Sequence, residues 1–390
     1  MKALVLAPHP FFTPRGTPFS VYYRTLVTAE LGVEIDLLTY GEGQDVVIPG
    51  VRLIRIPRLP WTGNVPVGPS LKKLILDCVM AVWTLGLLLR KRYDFVHAHE
   101  ESVFFCRLLK PLFGFKLVYD MHSSLPQQLS NFRFTKSRLL VRLFELLETA
   151  ALRAATAVIT ICPDLAEAVS PKLQDPSSHF LIENSIFEDV GLSGSAPPGH
   201  AEHLAMMALP NPPLVVYTGT FEAYQGIDLL IDAFARVRER RRDASLVLVG
   251  GTPAQVEQYR ALAESRGLNG TCTFTGRVSP ATARCLTRRA TVLLSPRVLG
   301  TNTPLKIYEQ LASGIPLVAT RIHSHTQVLD DEVCFLVEPT PEAMAAGILE
   351  ALTDTARAES VTHRALALYE SRYSRPVYEA KMRGLIQLLS

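Results

Sequence analysis

Residues 295–320 read S-P-R-V-L-G-T-N-T-P-L-K-I-Y-E-Q-L-A-S-G-I-P-L-V-A-T. This stretch follows a short apolar run, Thr291–Leu294, passes through a loop that contains glycine, and continues in a helical pattern to a second apolar run, Ile315–Ala319. Short apolar runs on either side of a helix are typical of buried parallel strands. Pro304 falls where the first turn of a helix tolerates proline. The stretch therefore predicts one half of a parallel βαβ unit.

Two basic residues flank the start of the predicted helix, Arg297 and Lys306. The N-terminus of a helix presents free N–H groups and the positive end of the helix dipole, and both favour a bound phosphate. Lys306 is unfavourable to that dipole unless an anion is bound, which makes a bound anion the better explanation. Glu309 lies further along the helix, where a carboxylate can accept hydrogen bonds from ribose hydroxyls. The pattern predicts a nucleotide-diphosphate site.

Composition excludes several classes of protein. The 390 residues suffice for two ordinary domains, and 48% hydrophobic with 20% charged residues is typical of a globular chain. The net charge of +3 gives no indication of nucleic-acid binding. The six cysteines lack metal-binding spacing and fit a reducing cytosol. The apolar run at residues 1–8 is too short for a signal peptide and breaks at Pro8.

Two segments raise the question of a membrane. The longest apolar run, Leu74–Leu89, contains Asp77 and falls short of the about 20 apolar residues that a spanning helix needs. We expect a helix buried between two strands; a helix lying on the membrane surface, with basic ends meeting anionic lipid, is the alternative. Residues 131–144 mix aromatic and basic side chains in helical register, which fits either a membrane-surface helix or a helix with one buried face.

Apolar runs alternate with helical stretches twice along the chain, which predicts an α/β fold of two doubly wound, Rossmann-like domains. The first series lies between Ala3 and Ile161, and the second between Leu214 and Val337. A segment rich in Gly, Ser and Pro separates them. We predict domains over residues 1–190 and 213–370 with a linker over 191–212, and a cleft where the carboxyl ends of the two sheets face one another.

The segment Glu309-Gln310-Leu311-Ala312-Ser313-Gly314 resembles the donor-site motif of the family 4 retaining glycosyltransferases, which have the B-type two-domain fold. The resemblance covers nearly the whole chain. It implies that the first domain lies on the acceptor side, that the second holds the nucleotide sugar, and that residues 371–390 form a helix crossing back to the first domain. The family motif begins with another Glu, which contacts the transferred sugar, eight positions before the one that Glu309 matches; this sequence has Thr301 there.

The resemblance also assigns donor contacts in three loops. After the first strand, family members often carry paired glycines; this chain has Gly16, beside Arg15. At the start of the second domain the family offers an Arg and a Lys-Gly pair, where this chain has Gly219 and Gln225. Arg297 and Lys306 are expected to replace that cationic clamp. The full set of expected donor-binding residues is Arg15, Gly16, Gly219, Gln225, Thr301, Asn302, Thr303, Pro304, Leu305 and Glu309, beside Arg297 and Lys306 as catalytic residues.

Polar residues also end two neighbouring strands of the first domain. The resemblance implies that His122 lies beside the transferred sugar, as a third catalytic residue. Asp120 could orient its imidazole or cap the next helix. His97 and His99 would share a strand face and could ligate zinc, but no third ligand stands at a convincing spacing, so no metal is expected. His99, Glu100 and Asp120 are instead candidates for the acceptor side.

The predicted function is that of a retaining hexosyltransferase. The sequence contains no Asp-x-Asp pair of the kind that holds a metal on a diphosphate, so basic side chains and backbone dipoles are expected to stabilise the leaving group without metal or cofactor. The donor is expected to be a nucleotide-diphosphate sugar, with UDP-sugars favoured. The acceptor is expected to be a lipid, lipid-linked sugar or glycan at the cytoplasmic membrane face, where the protein meets an anionic membrane surface. The alternatives are a sugar-nucleotide epimerase of the same architecture and a non-catalytic nucleotide-sugar-binding protein.

Overall fold

The chain folds into two compact units. The computed structural model describes residues 1–13, 16–59, 65, 70–124, 126, 138–184, 210–211 and 213–390. Unit 1 contains Met1–Ser195 together with Arg375–Ser390, and unit 2 contains Ala196–Ser374. Arg15, residues 131–137 of the basic aromatic segment and most of the predicted linker lie outside the described residues.

Unit 1 is built on a seven-stranded parallel sheet in the order β3-β2-β1-β4-β5-β6-β7. The apolar runs predict its first six strands. They miss the seventh, because its three residues are only partly buried and give no continuous apolar run. The strands are β1 (Lys2–Ala7), β2 (Glu34–Thr39), β3 (Val51–Arg55), β4 (Phe95–His99), β5 (Lys116–Met121), β6 (Ala157–Thr160) and β7 (His179–Leu181).

Helices connect these strands: α1 (Gly16–Glu30), α2 (Leu71–Arg90), α3 (Ser102–Phe113), α4 (Arg138–Ala154) and α5 (Pro163–Val169). Helices α2, α3 and α4 lie side by side, in contact along the series. Helix α2 buries one stripe, Leu76, Met80, Thr84 and Leu88, and exposes much of its opposite side. The predicted helix at Leu74–Leu89 is therefore present between two strands but is buried on one side only, because a helix that covers a sheet buries only the side turned to it. Within the described residues, no helix is long and apolar enough to cross a bilayer.

Unit 2 repeats the architecture with a six-stranded parallel sheet in the order β10-β9-β8-β11-β12-β13. The strands are β8 (Leu214–Thr218), β9 (Ser245–Val249), β10 (Cys272–Gly276), β11 (Val292–Ser295), β12 (Leu317–Thr320) and β13 (Phe335–Val337). The helices are α6 (Ile227–Arg240), α7 (Pro253–Ser265), α8 (Pro280–Thr287), α9 (Leu305–Leu311), α10 (His323–Thr326), α11 (Pro341–Thr353) and α12 (Thr355–Arg372). Apolar clusters on both faces of the sheet form its core. The predicted doubly wound α/β class is confirmed in both units.

One boundary in the quoted stretch differs from the prediction. Helix α9 begins at Leu305, and Pro304 is its N-cap with extended backbone angles, φ −65° and ψ 134°. The prediction that Pro304 lies within the first turn is therefore wrong by one position. Strand β12 begins at Leu317, inside the apolar run Ile315–Ala319 and at the first residue of the predicted strand Leu317–Ala319.

The last helix, α13 (Arg375–Leu389), belongs to unit 1 although unit 2 precedes it in the chain. Arg375 pairs with Glu30 of α1 at 2.7 Å, and Lys381 pairs with Glu183 at 2.5 Å. Lys116 of β5 donates to the carbonyl oxygen of Leu389 at 2.8 Å. These contacts and the buried side chains of α13 attach it to the sheet of unit 1.

Both sheets reverse their strand order once, between β1 and β4 in unit 1 and between β8 and β11 in unit 2. Loops that leave the carboxyl ends of the strands diverge at such a point and leave a crevice, where open α/β sheets bind their ligands. The predicted site residues follow β4, β5, β8 and β11, so they lie at these two carboxyl edges.

Candidate active site

Lys306 is the central cation of the unit 2 edge. It lies in the first turn of α9, and its Nζ is 4.2 Å from the ring centroid of Tyr217 and donates a weak hydrogen bond to the Thr218 carbonyl at 3.4 Å. No carboxylate pairs with it among the residues that the structure describes. Burial, with a smaller contribution from the Arg297 charge, lowers the pKa of Lys306 to about 7. The site therefore contains an amino group that has no carboxylate partner in the described chain and whose charged form a bound anion would favour.

Arg297 shapes the loop that precedes α9. Its Nε donates to the Leu299 carbonyl at 2.7 Å and its Nη1 to the Asn302 carbonyl at 3.2 Å, while the guanidinium lies 5.2 Å from the ring centroid of Tyr224. Gly300, at φ +132°, allows the loop to fold over this group, because a Cβ there would overlap the guanidinium. Burial lowers the pKa of Arg297. Arg297 thus orders the loop and adds positive charge beside Lys306.

Tyr217 is a site residue that sequence reasoning missed. It is fully buried at the end of β8, and its hydroxyl donates to the Thr220 carbonyl at 2.8 Å. Gly219 follows at φ +150°, and a Cβ there would come within 2.7 Å of the Tyr217 hydroxyl oxygen. The sequence feature that could have indicated this role is an aromatic residue, Tyr217, two positions before the loop glycine Gly219. The Lys306 Nζ lies over the Tyr217 ring, and the Tyr217 hydroxyl holds the Thr220 carbonyl in the loop after β8.

The loops after β8 and β11 meet within unit 2. The Val298 amide donates to the Tyr224 carbonyl at 2.9 Å, and the Cβ position of Gly219 is 3.6 Å from the Lys306 Nζ. The structure therefore brings Gly219 close to Lys306, as a shared donor site requires. Gln225 closes the 3₁₀ turn Ala223–Gln225, and its buried Oε1 accepts no hydrogen bond within the described chain.

The remaining donor-site predictions fall on α9 and the loop before it. Thr301 is exposed and its carbonyl accepts from Gln327, while the buried hydroxyl of Thr303 has no hydrogen-bond partner among the described residues. Asn302 holds Arg297 through its carbonyl, and Leu305 packs against the unit 2 core. Burial raises the pKa of Glu309 to about 6, and Arg284 opposes this increase. Glu309 is three residues beyond Lys306 on α9.

At the unit 1 edge, Asp120 is the centre of a buried polar cluster. Its Oδ2 lies 2.6 Å from the Arg24 Nε and 2.9 Å from the His97 Nε2, and its Oδ1 lies 3.4 Å from the His122 Nε2. Burial by itself would raise the pKa of Asp120, but Arg24 and the imidazoles outweigh it, so the pKa lies well below its usual value. Asp120 is therefore an ionised carboxylate that holds the cluster together.

Arg24 of α1 is the second residue that sequence reasoning missed. It is fully buried; it forms the ion pair with Asp120, and its Nη2 donates to the Ile182 carbonyl at 3.0 Å. An arginine between apolar and aromatic helix residues, Tyr22-Tyr23-Arg24-Thr25-Leu26, was the signal available. The ion pair joins α1 to the carboxyl end of β5.

His99 and His122 form a hydrogen-bonded pair, with the His99 Nδ1 3.0 Å from the His122 Nε2. Burial lowers the pKa of both imidazoles, although Asp120 opposes the decrease. The side chains of His99 and Asp120 are fully buried, and that of His122 is only 4% exposed. His99 and Asp120 therefore contact His122 rather than solvent. The alternative that Asp120 orients the imidazole, rather than capping a helix, agrees with these distances.

A metal could be considered at His97, His99 and Asp120, whose ligand atoms all lie within 4.8 Å of one another. The same carboxylate oxygen already lies 2.6 Å from the Arg24 guanidinium. A cation bound there would have to displace a buried arginine, and the displaced charge would lose its partner. The ion pair accounts for the arrangement without a metal, and the metal-free site remains a prediction.

Glu100 stands at the edge of this cluster with an unusual backbone. It has φ +50°, uncommon for a residue with a side chain, and follows β4 directly. Its carboxylate lies 3.5 Å from the Lys73 Nζ, which also donates to Glu101 at 2.8 Å.

Two further residues follow β1 in the chain. His9, two positions after the strand ends, is buried with its Nε2 unpartnered in the described chain. Gly16 begins α1 with open space around its Cβ position.

Comparison with known proteins identifies this arrangement. The model of the "glycosyl transferase 4-like domain" matches residues 24–182, and the model of "glycosyl transferases group 1" matches residues 212–354. This chain is a B-type glycosyltransferase. The two matches fall on units 1 and 2 respectively. The assignment to family 4 in particular stays a prediction.

Relatives and solved structures agree with this assignment. Alpha-D-kanosaminyltransferase of Streptomyces kanamyceticus is 26% identical over 307 residues, which cover 75% of this chain and 78% of the relative. Phosphatidyl-myo-inositol mannosyltransferase of Mycobacterium leprae is 32% identical over 140 residues, 35% of this chain and 36% of the relative. Sucrose-phosphate synthase of Thermosynechococcus elongatus superposes with a TM-score of 0.74 at 21% identity, covering 100% of this chain and 98% of that one. Anabaena HepE, in complex with UDP and glucose, superposes at 0.71 with 18% identity and 99% coverage of both chains.

Proposed function

We propose that this glycosyltransferase is a retaining, metal-independent enzyme that transfers a sugar from a nucleotide-diphosphate sugar to a lipid, lipid-linked or glycan acceptor at the cytoplasmic face of the membrane. The observation that carries the donor part of this proposal is Lys306, a cation at the carboxyl edge of unit 2 that rests on the Tyr217 ring and has no carboxylate partner among the described residues. A partly buried charge without a carboxylate partner is unfavourable, and a bound anion reduces that cost.

The diphosphate is the anion that fits this position. Negative charge develops on the leaving phosphate during sugar transfer, and fixed positive groups stabilise it in the transition state. Lys306 supplies one such group and Arg297 a second. Because Arg297 already donates to two loop carbonyls, its charge acts from a fixed position. These two cations take the place of a bound metal ion.

Glu309 is proposed to bind the ribose of the same nucleotide. It follows Lys306 by three residues on α9, so the two side chains lie on one side of the helix. With a pKa of about 6 the carboxylate is ionised at neutral pH and accepts hydrogen bonds from the two ribose hydroxyls. Gln225, whose buried Oε1 lacks a partner in the described chain, is a further polar group for the donor.

On the unit 1 side, His122 is proposed to hydrogen-bond the transferred sugar. Asp120 and His99 hold its Nε2 edge, at 3.4 and 3.0 Å. We propose that the acceptor hydroxyl attacks from the face of the leaving group and that its proton passes to the departing phosphate, so that configuration is retained. Glu100, beside Lys73, is proposed to contact the acceptor.

The relatives support the choice of substrates. The Mycobacterium leprae relative is named for transfer to a phosphatidylinositol lipid, and HepE was crystallised with UDP. By analogy we propose a lipid-type acceptor and a UDP-sugar donor for this chain.

The experiment that tests the proposal is a thermal-shift panel of UDP-, GDP- and ADP-sugars, followed by incubation with lipid acceptors in EDTA. A donor that binds the native state raises its melting temperature. We expect a UDP-sugar to do so, and to release UDP only when an acceptor is present, with the anomeric configuration retained in the product. An epimerised donor without acceptor would identify an epimerase, and binding without turnover would identify a binding protein. Loss of transfer in EDTA, restored by a divalent metal, would refute metal independence.

A further inference from the structure

Large apolar side chains exposed on the described surface are concentrated on three neighbouring helices of unit 1. Of seventeen such residues, seven lie on α2, two on α3 and two on α4. They are Leu71, Leu74, Ile75, Val82, Trp83, Leu85 and Leu89 on α2, Leu108 and Leu112 on α3, and Leu143 and Leu146 on α4. Because α2 contacts α3 and α3 contacts α4, we treat the outward sides of these helices as one surface, the α2–α4 face. Exposed apolar surface of this extent marks a binding site.

Helix α2 is apolar on two opposite sides. Leu76 and Met80 point into the core with the rest of the buried stripe, and Leu71, Val82 and Leu89, exposed by 74, 67 and 71%, point outward. The outward residues recur at helical spacing along the full length of α2. The inward stripe holds α2 flat against its sheet, so a partner meets this helix along its side.

The charges on the three helices are strongly unequal. Their sequences contain eight basic residues and three acidic ones, and of the basic residues Lys73 is paired with Glu100 and Glu101, which precede α3. Two of the acids are turned inward: Asp77 accepts from the Tyr40 hydroxyl at 2.5 Å, and Glu148 is fully buried and pairs with Lys172 at 3.0 Å. Glu145 on α4 is the one acid of the three that is exposed. The α2–α4 face is therefore apolar with a basic margin.

A groove between α3 and α4 adds a specific feature to this face. It has a volume of about 450 Å³ and is lined by Arg107 and Arg153, with Leu146 beside them. Neither arginine forms an ion pair with any residue that the structure describes. Two unpaired arginines next to an exposed leucine suit a phosphate group attached to an apolar chain.

We propose that the α2–α4 face lies on a bilayer that carries anionic headgroups. The leucines and Trp83 enter the interface, the basic margin meets the headgroup phosphates, and the groove at Arg107 and Arg153 holds one of them. This inference rests on the membrane location in the proposed function and identifies the surface responsible. A second copy of the chain fits less well, because the outward side of α2 offers no acid to the Lys72 and Arg90 of a partner helix.

The test is co-sedimentation of the full-length protein with vesicles of phosphatidylcholine alone or mixed with phosphatidylglycerol. The structure offers a matched pair of variants: Val82→Asp on the α2–α4 face and Val47→Asp in the loop between β2 and β3, where the valine is 71% exposed. We expect binding to the mixed vesicles that salt weakens, an affinity loss of about tenfold or more for Val82→Asp, and none for Val47→Asp. The double variant Arg107→Ser/Arg153→Ser should lose about fivefold or more, mainly on anionic vesicles. Melting temperatures of all variants exclude misfolding as the cause.

The outcomes separate the assignment of the α2–α4 face from the proposed membrane location and from the proposed donor site. Unchanged binding of Val82→Asp would overturn the assignment of the surface while the membrane location stands. Failure of the wild-type protein to bind either vesicle would overturn both, whereas thermal shift with a UDP-sugar tests the donor site separately. A dimer in light scattering that Val82→Asp dissociates, without vesicle binding, would show that a second copy covers this face and would also overturn the proposal.

Discussion

Charged side chains are paired with one another at the carboxyl edge of the unit 1 sheet and lack carboxylate partners at that of the unit 2 sheet, among the described residues. In unit 1, Asp120 and Arg24 neutralise each other at 2.6 Å inside the fold, and imidazoles complete the cluster. In unit 2, Lys306 and Arg297 lie against the rings of Tyr217 and Tyr224 and have no carboxylate partner within the described chain. A charge that the fold neutralises stabilises the fold, whereas a charge left against an aromatic ring stays available to a ligand. Removing the first should therefore affect folding, and removing the second should affect function.

The largest effect is expected from Arg24→Met. Asp120 would remain as a buried charge without its partner, which costs about 3–5 kcal/mol of unfolding free energy. Tryptophan fluorescence in urea measures this directly, because Trp83 lies on α2 of unit 1 and residues 196–374 contain no tryptophan. The double variant Arg24→Met/Asp120→Asn should recover much of the loss. If Arg24→Met lowers the unfolding free energy by less than about 1 kcal/mol, the ion pair does not stabilise the fold more than a surface pair does, and the proposed difference between the two edges is wrong.

Lys306→Ala should instead leave the fold intact and lower kcat by about 10²–10³-fold, the usual effect of removing one group that stabilises developing charge. Steady-state kinetics with the donor identified by the thermal-shift panel provides the measurement. Arg288→Ala, which removes an exposed cation at the end of α8, is the matched control and should be neutral. Wild-type turnover in the lysine variant would eliminate the proposed clamp.

Glu309→Ala should weaken donor binding by about tenfold or more, because hydrogen bonds to a charged acceptor contribute about 1.5–3 kcal/mol. We expect the effect in KM with little change in kcat. The wild-type enzyme should lose a similar amount with a donor that lacks the ribose 2′-hydroxyl, and the variant should not. Equal sensitivity of both proteins to that donor would place the ribose elsewhere.

Donor affinity should also depend on pH through Lys306. Its pKa in the empty site is about 7, and a bound diphosphate favours the charged form, so affinity should fall by up to about tenfold per pH unit as the pH rises above 7. The carboxyl of Glu309, with a pKa of about 6, is already ionised in this range. Calorimetric titration from pH 7 to pH 8.5 measures the slope. Lys306→Met should abolish it, and a slope that persists in this variant would assign the titration to another group.

The smallest expected effect concerns the aromatic support. Tyr217→Leu removes the ring under Lys306 and should weaken donor binding by about 2- to 5-fold, the magnitude of a partly exposed cation–π contact. Tyr217→Phe keeps the ring and loses only the hydrogen bond to Thr220. Donor titration of the two variants separates these contributions. If phenylalanine costs as much as leucine, the loop contact rather than the ring positions the lysine.

Most of the fold can be predicted from local sequence patterns. Continuous apolar runs predict buried parallel strands, and twelve of the thirteen strands in the described parts of the chain follow from them. Strand β7 does not, because its residues are partly exposed. The sequence left two alternatives open for α2, a buried helix and a helix on the membrane surface, since an apolar residue that faces outward looks the same in the sequence as one that faces inward. Of these the sequence favours the buried helix, although Leu71 and Leu89 are mostly exposed.

The donor site could be predicted in part for a related reason. Arg297, Lys306 and Glu309 are close together in the sequence, so loop and helix spacing relate them. Arg24 contacts Asp120, and Tyr217 contacts Lys306. The two residues of each pair are far apart in the chain, so no local sequence pattern predicts the contact. Pairings of this kind exist only once the sheets are assembled.

Helix α13 makes unit 1 discontinuous, with the whole of unit 2 inserted between its two parts. During synthesis, α13 leaves the ribosome only after all of unit 2. Until then Glu30, Glu183 and Lys116 lack their contacts with α13. A fragment that stops before Arg375 would leave this surface bare. An isolated unit 1 would have to be made by joining the two segments through a short artificial loop.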